Sequence, residues 1–209
     1  SDGSEQRGPF LVEQLAFSRW LARPLPLSVT VKQAALVMPD ANLPAVQEEK
    51  QFFDALAQER HIELAGPLAL HDEVLNKLRA GSFQLLHFAT HGAFNAQDAD
   101  RSELLLSNGS LTPADLVGSN LRGVRSGRPL VFLNACDSGK GDFTLVGAGG
   151  WAHKFFVQGG ASAFVGALWE VSDDLAAEFS CTFYRGLADG QTLGEALRAA
   201  RLHIRDQEP

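Results

Sequence analysis

Two stretches of the sequence decide the predicted fold: LLHFATHG at residues 85–92 and LVFLNACDSG at residues 130–139. Each begins with a run of apolar residues and ends in a reactive side chain close to a glycine. Short apolar runs bounded by turn residues are typical of parallel strands that are buried on both faces. Because functional groups in an open α/β sheet gather at the carboxyl ends of its strands, we expect His91 and Cys136 at one edge of a buried sheet.

Strands and helices alternate along the rest of the chain. Further strands are predicted at residues 29–38, 62–64, 103–106 and 161–169, and helices at residues 44–60, 72–79, 151–158, 173–187 and 192–205. This alternation predicts an α/β fold of three layers, a mostly parallel sheet with helices on both faces. We expect a lead-in with a short helix over residues 1–27, followed by one domain over residues 28–209.

Composition excludes several classes of protein. The chain has 209 residues, of which 45% are hydrophobic, so it can bury a large core. Its formal net charge is -7 and its Lys and Arg residues do not cluster, which argues against a nucleic-acid partner. No apolar stretch approaches the roughly 18 residues that a membrane span needs, and no signal peptide is visible. The chain does not begin with Met, which indicates a fragment or a processed piece.

The chain contains two cysteines, too few for a disulfide framework in a domain of this size. Neither the cysteines nor the six histidines show the spacing of a structural zinc site. We therefore predict no metal and no cofactor, and a reducing, cytoplasmic setting.

The two strand ends carry the groups of a nucleophilic mechanism. Cysteine attacks as the thiolate, and its ordinary pKa of about 8.5 leaves little thiolate at neutral pH. A neighbouring imidazole can take up the proton and later return it to the leaving group. We therefore predict Cys136 as the nucleophile and His91 as the general base. The backbone N–H of Gly92 is the candidate for stabilising an oxyanion, and Gly139 lets the next loop approach a substrate closely.

Each of these two residues, taken alone, also has a purely structural interpretation. Free cysteine is among the most buried residue types, and a single histidine at a strand end often makes only structural hydrogen bonds. The occurrence of both at strand ends favours the catalytic interpretation. In caspases the cysteine follows the catalytic histidine by roughly 50 residues, and here Cys136 follows His91 by 45 residues.

The other reactive side chains are weaker candidates. His87 lies inside the first strand, so we expect it in the core or supporting the site. Cys181 falls in a helix among aromatic residues, which indicates packing, and His153 is expected at the surface. The surroundings of Ser138 do not match G-x-S-x-G, and the glycines of residues 139–150 do not match a phosphate-binding loop.

Four motifs resemble, in order and spacing, those of the CHAT domain, a caspase-like peptidase domain that often occurs with tetratricopeptide repeats. They are FATHG at residues 88–92, NACDSG at 134–139, GGA at 159–161 and LWEVSD at 168–173. The resemblance extends over roughly residues 28–205. It implies a caspase-hemoglobinase fold and a Cys-His dyad, with His91 as the base and Cys136 as the nucleophile. It also implies a protein or peptide substrate. The family's tetratricopeptide repeats, or another regulatory region, either lie outside this fragment or are lacking in this member.

The resemblance also implies a substrate preference. Separase, a related peptidase, has a Trp-Asp-Val-Thr-Asp stretch whose acidic residues help to bind an arginine side chain, and WEVSD at residues 169–173 is similar. An acidic group in a pocket binds Arg or Lys through charge-assisted hydrogen bonds. We therefore predict cleavage after a basic residue, with Asp173 as the substrate-binding residue. Asp173 would serve equally well as the cap of a helix.

The leading prediction is a cysteine endopeptidase that cleaves a partner protein, and the resemblance suggests bacterial signalling, defence or regulated cell death. The alternative from another class is a catalytically silent caspase-like module that binds peptides or acts as a scaffold. A third hypothesis is a small-molecule hydrolase that uses the same cysteine. Neither nucleic acid nor a membrane is an expected partner.

Overall fold

The computed structural model describes residues 11–15, 28–40, 42–93, 95, 97–137, 150–167 and 171–206. Within these residues, seven strands form one sheet: β1 (Gln33–Val37), β2 (Glu63–Leu68), β3 (Leu85–Ala93), β4 (Glu103–Leu106), β5 (Gly109–Leu111), β6 (Leu130–Asp137) and β7 (Ala163–Gly166). Five strands are parallel, in the spatial order β2-β1-β3-β6-β7. Strands β4 and β5 form an antiparallel hairpin that pairs with the carboxyl end of β3. The predicted, mostly parallel sheet is confirmed.

Helices cover both faces of the sheet. They are α1 (Leu11–Gln14), α2 (Pro44–Arg60), α3 (His71–Ala80), α4 (Arg122–Gly127), α5 (Asp173–Ala188) and α6 (Leu193–Arg205), with a π-helical segment at His153–Gln158. Helices α2, α5 and α6 pack on one face, whereas α3, α4 and the π-helical segment pack on the other. The three-layer α/β architecture expected from the sequence is therefore confirmed.

Alternation along β3 divides its side chains between the two layers. Leu86 and Phe88 pack on the side of α3 and α4, whereas Leu85 and Ala89 pack on the side of α2, α5 and α6. His87 shares the second face, since its ring lies 4.9 Å from that of Phe53 on α2. Because the side-chain period of a strand is two residues, His91 belongs to this second series.

The apolar run predicts a strand over residues 83–90, whereas β3 continues past Thr90 to Ala93. On one edge it pairs first with β1 and then, at Gly92 and Ala93, with β4. On the other edge it pairs with β6 from Leu85 to Gly92. The Thr90 hydroxyl also donates a hydrogen bond to the carbonyl of Leu105 in β4. Pairing on both edges keeps the chain extended beyond the apolar run.

The sequence predicts a connector rich in Gly, Ser and Arg at residues 118–128, and the structure forms two helical segments there. They are a 3₁₀ turn at Gly118–Leu121 followed by α4. Leu121 and Val124 are fully buried in the core, and a side chain at Gly123 would meet the carbonyl of Leu78 in α3 at 2.5 Å. Close packing against α3 therefore overrides the low helix propensity of this glycine- and serine-containing segment.

The predicted lead-in falls mostly outside the described residues, which begin with α1 and resume at residue 28. None of the helices in the described ranges has the length and apolarity that crossing a membrane requires.

Candidate active site

His91 and Cys136 occupy matching positions on the two central strands. The last register pairs of β3 and β6 are Thr90 with Ala135, His91 with Cys136, and Gly92 with Asp137. Neighbouring strands lie about 4.8 Å apart, so the backbones of His91 and Cys136 are adjacent. The structure therefore brings the two predicted dyad residues together in the backbone. The side chains of Cys136 and Asp137 lie outside the described part of the structure, as do residues 138–149 with Ser138 and Gly139.

A small pocket that opens to solvent lies beside this pair of strand ends. His91 and Asn134 line it from β3 and β6. Asp40 lines it from the loop after β1, Glu49 from α2, and Asp173 from the start of α5. The pocket therefore lies at the carboxyl ends of the parallel strands, where α/β proteins bind their ligands.

His91 is half-buried and forms part of the pocket wall. Asn134 and Cys136 are alternate residues of β6, in the same series as Phe132, which packs on the face of α2, α5 and α6. His91 belongs to the corresponding series of β3. Strand alternation therefore places His91 on the same face of the sheet as Asn134.

The sequence predicts that residues 91–94 leave the strand, whereas Gly92 is a buried residue within β3. Its register partners are Leu104 of β4 and Asp137 of β6. It directly follows His91, so the predicted oxyanion donor lies next to the predicted base in the backbone. The role of its N–H stays a prediction.

Asp173 is the exposed first residue of α5 and lines the pocket. The preceding residue, Ser172, occupies the N-cap position without a capping hydrogen bond from its side chain. A carboxylate in the first turn of a helix interacts favourably with the helix dipole. The position of Asp173 is therefore compatible with both predicted roles, and its contact with substrate stays a prediction.

The sequence analysis missed a buried carboxylate beneath the pocket. Glu49 is 1% exposed. It accepts hydrogen bonds from the Asn134 amide nitrogen, at 3.1 Å, and from the Ser180 hydroxyl of α5. The pattern of residues 44–60 predicts an apolar face and an opposite face of Gln, Glu and Lys, but Glu49 lies on the buried face with Val46 and Phe53. This three- and four-residue spacing is the sequence signal that could have located it.

His87 is fully buried next to Glu49, which confirms the expectation that it is a core or supporting residue. Its Nδ1 lies 3.1 Å from the Tyr184 hydroxyl. Burial and the charge of Glu49 raise the pKa of Tyr184 well above its usual value, so the phenol stays neutral and can donate to Nδ1. His87 Nε2 lies 3.4 Å from a Glu49 oxygen without forming a hydrogen bond.

Cys181 is half-buried in α5, as its helical aromatic surroundings predicted, and it has an unreactive environment. Burial first, and then the negative charge of Glu49, raise its pKa to about 12. The thiolate is the reactive form, and at pH 8 this pKa leaves about one thiolate in 10⁴ thiols. In a Cys136→Ser variant, where Cys181 is the remaining cysteine, we expect iodoacetamide to modify the native protein very slowly at pH 8. Intact mass before and after unfolding in guanidinium measures this, and rapid modification of the folded protein would contradict it.

The other histidines do not join the site. His61, His153 and His203 are exposed, and His71 is half-buried on α3. Within the described ranges, no three His, Cys, Asp or Glu side chains lie close enough together to hold one metal ion.

A mostly parallel sheet between two helical layers, with a histidine and a cysteine in register at the ends of its central strands, is an α/β arrangement of the caspase-like type. The family model of the CHAT domain matches residues 4–209, and the chain therefore belongs to the CHAT domain family. This family lies within the caspase-like cysteine peptidases. The resemblance carried by the sequence motifs is thus confirmed. No match was found among curated proteins.

Proposed function

We propose that this CHAT domain is an active cysteine endopeptidase that cleaves a protein or peptide after a basic residue, with His91 and Cys136 as its dyad. The observation that carries the proposal is the register pair of His91 and Cys136 at the open ends of adjacent parallel strands. Family membership supports the same chemistry. A half-buried His91 in the wall of an open pocket is accessible to a bound peptide.

The reaction proceeds by acyl transfer. His91 takes the proton from the Cys136 thiol, and the thiolate attacks the carbonyl carbon of the scissile peptide bond. The Gly92 N–H stabilises the resulting oxyanion. The His91 imidazolium then gives its proton to the leaving amine, which leaves a thioester. Water, deprotonated by His91, hydrolyses the thioester, releases the carboxylic acid product and restores the thiol.

The charge of the pocket supports a basic side chain at the cleavage site. Three carboxylates, of Asp40, Glu49 and Asp173, line the pocket. Asp173 and Asp40 are exposed and can reach a ligand, whereas Glu49 is committed to its buried partners. An arginine guanidinium forms paired hydrogen bonds with a carboxylate, which adds geometric selectivity to charge. Asp173 is the proposed partner of this guanidinium.

The proposal is tested with two peptide acyloxymethyl ketones, one carrying Arg and the other Asp next to the warhead. We expect the Arg probe to add once to the wild-type protein and not to Cys136→Ala, as read by intact mass. Asp173→Ala should slow labelling by about tenfold or more, since hydrogen bonds to charged groups contribute about 1.5–3 kcal/mol. Asp174→Ala is the matched control, because Asp174 is also exposed in the first turn of α5 and does not line the pocket.

Each contrary result points to a different error. Preferred labelling by the Asp probe would keep the peptidase and reject the basic preference. Equal labelling of Asp173→Ala and wild type would reject the role of Asp173. Absence of labelling by either probe, together with measurable binding of the Arg peptide, would instead support the catalytically silent peptide-binding module.

A further inference from the structure

We propose that Asn134 is a positioning residue for His91, and that Glu49 fixes the direction in which the Asn134 amide presents its oxygen. This inference rests on the proposed function, because it assigns a third member to the proposed dyad. Two features carry it: the hydrogen bonds beneath the pocket, and the place of Asn134 beside His91 on the sheet.

The Asn134 amide has one donor end and one acceptor end, and the donor end is engaged. Its nitrogen donates to Glu49 at 3.1 Å, toward α2. Asn134 also lines the pocket. Because the amide nitrogen is hydrogen-bonded to α2, the amide oxygen of Asn134 faces the pocket.

Glu49 enforces this orientation because its carboxyl oxygen already accepts hydrogen bonds from both the Asn134 amide nitrogen and the Ser180 hydroxyl. If the amide were reversed, its oxygen would face the Glu49 carboxylate as a second acceptor in a nearly dry environment, which is costly. The Ser180 hydroxyl, itself fully buried, already donates to the same carboxylate. Helix α5 therefore also holds Glu49 in place, and the amide has one favourable orientation.

Asn134 is a diagonal neighbour of His91 on the same face of the sheet. Its register partner is Ala89, two residues before His91 on β3. Neighbouring parallel strands lie about 4.8 Å apart and alternate residues of one strand about 6.6 Å apart, so diagonal neighbours have Cα atoms roughly 8 Å apart, within reach of an amide and an imidazole. Both residues line the same pocket. The amide oxygen is therefore placed to accept a hydrogen bond from one ring N–H of His91.

Such a hydrogen bond has a chemical consequence. An acceptor on one ring nitrogen sets the tautomer and orientation of the imidazole, and leaves the other nitrogen to exchange a proton with the thiol. The acceptor also stabilises the imidazolium formed when Cys136 loses its proton. The Cys136 thiolate consequently forms at a lower pH than it would without Asn134.

Other charged or titratable groups lie near this pair, and the test must leave them unchanged. Asp40, Glu49 and Asp173 line the pocket with His91 and Asn134, whereas His87, Tyr184 and Cys181 lie near Glu49. Asp40 and Asp173 are exposed to solvent, which screens their charge. The Asn134→Ala substitution removes the amide and retains all of these groups.

The test is the pH dependence of Cys136 alkylation by iodoacetamide between pH 4 and 10, followed by intact mass. We expect Asn134→Ala to raise the midpoint of the rate profile by about one pH unit, which is a tenfold change in the thiolate equilibrium. Glu49→Gln should shift it in the same direction by less, since glutamine can satisfy either end of the amide. Glu48→Gln is the matched control, because Glu48 is the exposed neighbour of Glu49 on the same helix, and its profile should match that of the wild type.

If Asn134 had only a structural role, the Asn134→Ala substitution would lower thermal stability without changing the pH profile of Cys136 alkylation. The inference is rejected if Asn134→Ala folds and its profile coincides with that of the wild type. If Glu49→Gln does not fold, Asn134→Ala decides alone. His91→Ala separates this inference from the proposed dyad: if its profile also matches the wild type, the dyad is rejected and the positioning role falls with it. If the midpoint of the alkylation profile shifts in His91→Ala but not in Asn134→Ala, only the role of Asn134 is rejected.

Discussion

Replacing His91 with alanine is expected to lower kcat/KM for an arginyl peptide by about 10²- to 10⁴-fold, the range that a positioned general acid–base contributes. Without the imidazole, Cys136 loses the acceptor for its proton and the leaving amine loses its proton donor. Because His91 is half-buried in a pocket wall, we expect the free energy of unfolding to change by only about 1 kcal/mol. A fluorogenic peptide assay, paired with urea denaturation, measures the two effects separately.

The control for this experiment is His153→Ala. His153 is exposed in the π-helical segment and does not line the pocket. Its removal should leave both peptide cleavage and stability near the wild-type values. Wild-type cleavage by His91→Ala would show that another group takes the proton from the nucleophile, and the dyad would have to be abandoned.

Replacing Phe53 with alanine is expected to lower the free energy of unfolding by about 3–5 kcal/mol, the usual cost of deleting a buried aromatic ring. Phe53 is 2% exposed. Its ring centroid lies 4.9 Å from those of His87 and of Tyr184, so it packs directly against the buried polar network. Truncation leaves a cavity that the closely packed neighbouring side chains cannot fill. Urea denaturation with an unchanged m-value would measure the loss.

The adjacent Phe52 supplies a matched control on the same helix. It is half-buried, and its ring is covered by the Arg185 guanidinium, 5.3 Å from the ring centroid. We expect Phe52→Ala to cost about 1 kcal/mol, because it loses mainly this partly exposed cation–π contact. If both substitutions lowered the free energy of unfolding equally, the difference in burial between Phe53 and Phe52 would be contradicted.

The parallel core and the proximity of His91 to Cys136 were predictable from the sequence for one physical reason. A strand buried on both faces needs a continuous apolar run, and that run is visible in LLHFA and LVFL without any tertiary information. Once two such runs are placed side by side in parallel, the residues that end them must meet at one edge of the sheet. The position of the candidate site therefore follows from local patterns alone.

Glu49 was not predictable in the same way, because its partners are far away in the sequence. Asn134 and Ser180 lie 85 and 131 residues from it. In a helix rich in Glu and Gln, a buried glutamate is indistinguishable by composition from an exposed one, and only the periodicity with Val46 and Phe53 sets it apart. The extension of β3 beyond Thr90 was missed for a related reason, since pairing with β4 and β6 keeps that end extended.

The register of β3 and β6 also restricts how this family can diverge. The two strands are paired without interruption from Leu85 with Leu130 to Gly92 with Asp137. A one-residue insertion inside either strand would turn every following side chain to the opposite face, and would expose apolar residues and bury polar ones. Such an insertion would move His91 relative to Cys136, but it would also disrupt the hydrophobic core. The relative position of His91 and Cys136 is therefore retained wherever the fold is retained, even in a family member that has lost peptidase activity.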